Sequence, residues 1–142
     1  MIRWLDHVNL RTVDVERLVA FYVDVIGLRR GERPLFDFPG AWLYVGDRPI
    51  IHIVWDAQAS QTPSSSLRLE HFALAAEPES LQPFLGRLHA RGIAFRQSER
   101  IDGGTTVVNL HDPDGNRLHV DFAHAAKAGR VDEPPERQQP SQ

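Results

Sequence analysis

Leu5-Asp6-His7-Val8-Asn9-Leu10 returns 64 residues later as Leu69-Glu70-His71-Phe72-Ala73-Leu74. Each copy keeps an apolar residue, an acid and a histidine in order, and then alternates as a half-buried strand does. A duplication of this kind governs the reading of everything around it. After the first copy, Asp14 is placed to cap a helix whose apolar stripe runs Leu18, Phe21, Tyr22, Val25, Ile26 and stops at Gly27. After the second, Leu81, Phe84, Leu85 and Leu88 repeat the stripe, and Gly92 stops it 65 residues beyond Gly27. Three short strands are predicted behind each helix, at 29–37, 41–46 and 50–55 and again at 94–99, 105–111 and 116–122. Pro39-Gly40, Gly46-Asp47, Gly103-Gly104 and Pro113-Asp114-Gly115-Asn116 supply the breaks between them.

The chain thus reads as an α+β domain of two βαβββ repeats whose sheets form one cup-shaped mixed sheet. Its expected extent is 1–124, with repeat one at 3–56, a linker at 57–66 and repeat two at 67–123. Units of about 50 residues bury too little surface to stand alone, so the two should share one core. Residues 125–142, rich in Pro, Gln and charge from Lys127 onward, are expected to form a flexible tail.

Composition narrows the chemistry. The 142 residues fit one domain. Lys plus Arg is 16 against 19 Asp plus Glu, a net charge of −3, and the 15 Arg are scattered, which argues against nucleic acid as a partner. With no Cys, thiolate metal sites, disulfides and thiol nucleophiles are excluded. His, Asp, Glu and Asn must carry any chemistry. Arg3 and Asp6 interrupt the N-terminus and apolar runs are short, so no export signal or membrane span is expected and a cytoplasmic location is.

Strand alternation then assigns faces. Val8 and Leu10 should pack on the helix, which turns His7, Asn9 and Arg11 into the cup. Phe72 and Leu74 leave His71 and Ala73 on the cup side, and Leu118, Val120 and Phe122 leave Arg117, His119 and Asp121 there. His52, between Ile51 and Ile53, matches His119 at an offset of 67. Four of the seven histidines, His7, His52, His71 and His119, therefore occupy equivalent positions in two repeats and are expected to converge as a metal site. His89 belongs to the exposed side of the second helix, His124 to the tail boundary and His111 at most to the rim. Asp121 is a candidate base or imidazole partner; Arg11, Trp42, Tyr44, Asn109 and Arg117 are candidates to hold a substrate. Asp112-Pro113-Asp114-Gly115-Asn116 opens like a calcium loop, but its Gly comes early and Ala123 stands where Glu is required, so it is read as a hairpin turn. Gly103-Gly104 has neither the spacing nor the helix of a phosphate loop.

These residues resemble the vicinal oxygen chelate superfamily, which includes glyoxalase I, extradiol dioxygenases and the bleomycin and fosfomycin resistance proteins. The likeness spans about Arg3 to Phe122 and rests on Leu5-Asp6-His7-Val8, on Phe21-Tyr22 through Gly27-Leu28, and on Asp112 through Asn116. It implies metal positions on the first, fourth, fifth and eighth strands, where His7, His52, His71 and His119 stand. The last is usually Glu in the metal enzymes, and His119 departs from that. An all-histidine set leaves the ion its full charge and makes it a stronger Lewis acid.

The resemblance implies a metal-dependent enzyme holding one divalent ion (Zn, Ni, Co, Mn or Fe(II)) and acting on a small substrate chelated through vicinal oxygens. Its reaction would be of lyase or isomerase type, or dioxygenase ring cleavage. The alternative it implies is a metal-free protein that sequesters a small molecule, as bleomycin resistance proteins do. A purely structural, four-coordinate zinc is a third possibility. The family also implies a homodimer, with the cup completed within one chain or across two.

Overall fold

The computed structural model describes residues 1, 3–59, 69–101 and 103–124. Most of the predicted linker and the whole tail at 125–142 lie outside the described residues. Strands β1 (Val8–Thr12), β2 (Arg29–Gly31), β3 (Gly40–Val45) and β4 (Arg48–Trp55) form one mixed sheet in the order β1-β4-β3-β2. Strands β5 (Phe72–Ala76), β6 (Phe95–Glu99), β7 (Thr105–His111) and β8 (Arg117–Ala123) form a second in the order β5-β8-β7-β6. Helix α1 (Val15–Ala20) follows β1, and α2 (Leu81–Ala90) follows β5. The repeat extends to register: β1 runs parallel to β4 with Asn9 opposite His52, and β5 runs parallel to β8 with Ala73 opposite His119.

Local chemistry sets the boundaries. The Asp14 carboxylate accepts the Arg17 N–H at 3.0 Å and caps α1. Beyond Ala20 the helix does not continue as the single α-helix expected; Phe21–Ile26 winds as a π-helix, with both Gly27 and Leu28 N–H groups donating to the Tyr22 carbonyl. The wider turn brings the consecutive Phe21 and Tyr22 both into the core. Gly27 ends it at φ 95°, a left-handed conformation that favours glycine.

Strand β2 is shorter than the expected 29–37. Beyond Gly31 the chain leaves the sheet, and Arg33 packs over the stacked Phe36 and Phe38 rings while donating to the Phe38 carbonyl at 3.0 Å. The first strand of each repeat also begins later than the quoted motifs. Residues before Val8 would pair past Ile50 with Pro49, which has no N–H to give, and those before Phe72 run opposite the turn that precedes β8.

The inward faces are as alternation assigns them. Leu43, Ile51, Ile53, Leu88, Leu118 and Val108 are fully buried in one core that draws on both repeats. The repeats are joined through their helical layer: Arg87 Nε on α2 donates to the Val25 carbonyl at 3.0 Å. Asp112 makes the second joint. Its Oδ1 accepts the Asp114 and Asn116 N–H groups, both at 2.9 Å, and its Oδ2 accepts the Asn116 amide and the Tyr22 hydroxyl, both at 2.8 Å. Arg17 Nη2 adds an ion pair to Asp114 at 2.8 Å. Among the described residues no helix is long and apolar enough to cross a membrane.

Candidate metal centre

The four histidines gather as two pairs, one on each sheet. In repeat one the His7 and His52 rings stack at 3.9 Å, and Trp42, opposite His52 on β3, extends the stack at 4.0 Å and 6°. In repeat two His71 and His119 stack at 4.0 Å and 9°. The position matching Trp42 is Asn109, opposite His119 on β7. Within one chain the two pairs do not join: among the described residues no three His, Cys, Asp or Glu side chains come together as a metal set. Of the two arrangements the family resemblance allows, within one chain or across two, the described residues of this chain show the histidines as two stacked pairs.

Each half-site is nonetheless prepared as a nitrogen donor set. His52 Nε2 and His119 Nε2 are buried and have no hydrogen-bond partner, a costly state for a polar atom unless something else engages it. Burial and the neighbouring His7 push the His52 pKa below its ordinary value. Burial and His71 do the same to His119, against the opposing pull of Asp121. Both imidazoles are therefore neutral at pH 7, the form that binds a metal. The His7 Nδ1 lies 2.8 Å from Asp6 Oδ2, and the His71 Nδ1 contacts Glu70 Oε2. Glu70 is in turn held by Arg117, whose Nη2 donates to Asn109 Oδ1 at 3.2 Å. The paired acids Asp6 and Glu70 are visible in the repeat motif, yet periodicity alone assigns them no task.

The depressed histidines give the metal-free protein a pH signature. Unfolded chains take up protons on these rings near pH 6.5, whereas the folded chain resists until a lower pH, so stability is full above about 6.5 and falls as pH drops through the folded pKa values. Chemical denaturation of chelator-treated protein from pH 8 to 5 checks this. The stability of wild type relative to a His52→Gln, His119→Gln variant should decline below pH 6.5, and a difference independent of pH would contradict it.

The remaining candidates divide. Asp121 lies on the His119 face with its side chain 14% exposed; Oδ2 accepts from Arg100 at 2.5 Å, while the buried Oδ1 has no partner. Its counterpart in repeat one by offset is Val54. Trp42, Asn109 and Arg117 flank the histidine pairs. Arg11 instead faces Asp56 at 3.5 Å and lines a cavity of about 990 Å³ between the repeats, which Asn9, Glu70, His71 and Asn116 share. The Tyr44 hydroxyl is occupied by the Glu32 carbonyl at 2.7 Å. His111 lines the cavity rim, His89 is exposed against Phe95, and His124 lies 3.1 Å from the Thr106 hydroxyl. Asp112, in a turn, and Tyr22, on a helical apolar stripe, together make a joint between the repeats.

Comparison with known proteins agrees with this architecture. Residues 4–120 match the sequence model of the Glyoxalase/Bleomycin resistance protein/Dioxygenase superfamily. A glutathione transferase, FosA, from Serratia marcescens is 25% identical over 120 residues, 84% of this chain and 81% of that protein. A glyoxylase/bleomycin resistance protein/dioxygenase domain from Frankia superposes with a TM-score of 0.73 at 18% identity, over 87% of this chain and 100% of that one. The fosfomycin resistance protein FosX from Listeria monocytogenes, solved as a mutant complexed with Mn(II) and 1S,2S-dihydroxypropylphosphonic acid, gives 0.68 at 15% identity, over 89% and 96%.

Proposed function

Because the chain belongs to the glyoxalase, bleomycin resistance protein and dioxygenase superfamily, we propose that it is a metal-dependent enzyme whose centre is assembled from two copies of the chain. The carrying observation is the pair of buried, unpartnered nitrogens, His52 Nε2 and His119 Nε2, at matching positions of two half-sites that one chain does not unite. Strand order supports the assembly. β1 and β5 are both edge strands, and an edge of unpaired backbone groups is a template for another chain. Leu5 and Leu69, which lead into them, are exposed at 76% and 60%. Setting β1 of one chain beside β5 of another brings His52, His7, His71 and His119 onto four successive strands, spaced about 4.8 Å apart.

Four imidazoles suit a borderline divalent ion. Such an ion, when bound, supplies Lewis-acid stabilisation of charge developing on two neighbouring oxygens of a small substrate. The chain's own residues do the rest. Asp121, with Oδ2 clamped by Arg100 and Oδ1 unengaged, accepts a proton from substrate. Trp42 offers an aromatic wall, and Arg117 and Asn109 a polar one. Proton transfer of glyoxalase type fits this set better than a reaction needing a redox metal, since a base stands ready beside His119. The Mn(II) and 1S,2S-dihydroxypropylphosphonic acid bound in FosX support a small substrate that offers neighbouring oxygens.

Elemental analysis of untagged protein purified without chelator tests the reading. One divalent ion per chain is expected, and its loss in His71→Ala. Protein that stays folded, holds no metal and gains no thermal stability from Zn, Ni, Co, Mn or Fe(II) would instead favour the metal-free sequestering protein.

A further inference from the structure

The acids that precede the two leading histidines do more than carry charge. A carboxylate accepts hydrogen bonds and donates none, so its contact with a neutral imidazole nitrogen requires the proton to sit on that nitrogen. Asp6 lies against Nδ1 of His7, and Glu70 against Nδ1 of His71. Each ring is thereby held as its Nδ1–H tautomer, with the Nε2 lone pair turned away from the acid. In His52 and His119 the same ring nitrogen, Nε2, is buried without a hydrogen-bond partner.

Glu70 is itself held in place. Arg117 grips Glu70 through Nη1 and reaches Asn109 through Nη2, so a chain Asn109–Arg117–Glu70–His71 runs from β7 across β8 to the start of β5. That tie restricts a side chain which would otherwise wander at an exposed position, and a restricted acceptor orients its imidazole better. We propose that Glu70, clamped by Arg117, is a positioning residue that fixes His71 in the Nδ1–H tautomer and aims its Nε2 lone pair at the incoming ligand, Asp6 serving His7 in the same way. The inference rests on the metal-centre reading for its purpose but on the metal-free chain for its geometry.

The test is nitrogen-15 long-range correlation NMR of the histidine rings in metal-free protein at pH 8, together with calorimetric titration of Zn(II) into wild type, Glu70→Ala and Glu70→Gln. His71 is expected as the Nδ1–H tautomer in wild type. Glu70→Ala should move it toward Nε2–H and weaken Zn(II) binding about 10- to 100-fold. Glu70→Gln, whose amide oxygen still accepts from Nδ1, should restore most of the tautomer and of the affinity. Unchanged melting temperatures across the set separate positioning from general support of the fold. A wild-type His71 with its proton on Nε2, or a tautomer indifferent to Glu70→Ala, overturns the proposal. Should wild type show the Nδ1–H tautomer but bind no ion, the positioning stands and the metal-dependent function fails, so the two failures are told apart.

Discussion

Chains carrying His7→Ala with His52→Ala, and chains carrying His71→Ala with His119→Ala, should each purify without metal and regain it when unfolded and refolded together. In a two-fold dimer whose sites each take one histidine pair from either chain, a mixed dimer contains one site with both pairs lost and one with both intact. Random reassortment makes half the dimers mixed, so metal content should recover to about a quarter of wild type from a baseline near zero. A site closed within one chain would recover nothing, because every chain in the mixture lacks two ligands. Metal per chain, measured after refolding at equal concentrations, decides between them. The half-sites are the reason for expecting so large an effect: among the described residues the imidazoles stack two together on each sheet, and two ligands hold an ion far less well than four.

Removing Asp112 should cost the fold more than any other single polar change. The Asp112→Ala chain loses the acceptor for four hydrogen bonds and leaves the Tyr22 hydroxyl, which is fully buried, without its partner. Each lost bond is worth roughly 1 kcal/mol net and a stranded buried donor roughly 1–3 more, so about 5–7 kcal/mol of unfolding free energy is expected to go. Tyr22→Phe is the informative contrast. It removes one donor and leaves the other three to the carboxylate, and should cost about 1–2 kcal/mol. Burial raises the Asp112 pKa while its hydrogen bonds pull it down, and burial followed by the adjacent Asp112 charge raises that of Tyr22. The carboxylate is therefore accommodated by its donors, not by solvent. Urea denaturation of the three proteins measures both losses, and near-equal values for the two variants would show that the bond between repeats, not the turn, carries the stability.

The repeat, the helix positions and the faces assigned on β1, β5 and β8 were legible in the sequence because they follow from periods of two and of about 3.6 that one chain must satisfy. Phe72, Leu118, Val120 and Phe122 turned inward as predicted, and His52 and His119 fell into matching registers. The π-helical turn at Phe21 was not legible, because its apolar stripe suits an α-helix equally well. Nor was the early end of β2, which depends on Arg33 finding the Phe38 carbonyl and two aromatic faces. For the site, periodicity identified which histidines share a face within each repeat. It carried no information on whether the two sheets of one chain bring those faces together, since that is a matter of how separate rigid layers dock. The joint at Asp112 escaped for a related reason: a turn motif announces its own hydrogen bonds, but not a tyrosine 90 residues away.

The two repeats share one frame and differ in what they hang on it. Opposite His52 stands Trp42, and opposite His119 stands Asn109; Val54 occupies the position that Asp121 fills in the second repeat. In the proposed two-chain cup, turning a bound molecule end for end would exchange an aromatic and aliphatic neighbourhood for an amide and a carboxylate, at unchanged distances from the histidine nitrogens. The two poses are then unequal in energy although the scaffold barely distinguishes them. Handedness toward the substrate resides in a few side chains of otherwise interchangeable halves, and it could be altered in one half without disturbing the backbone register of either.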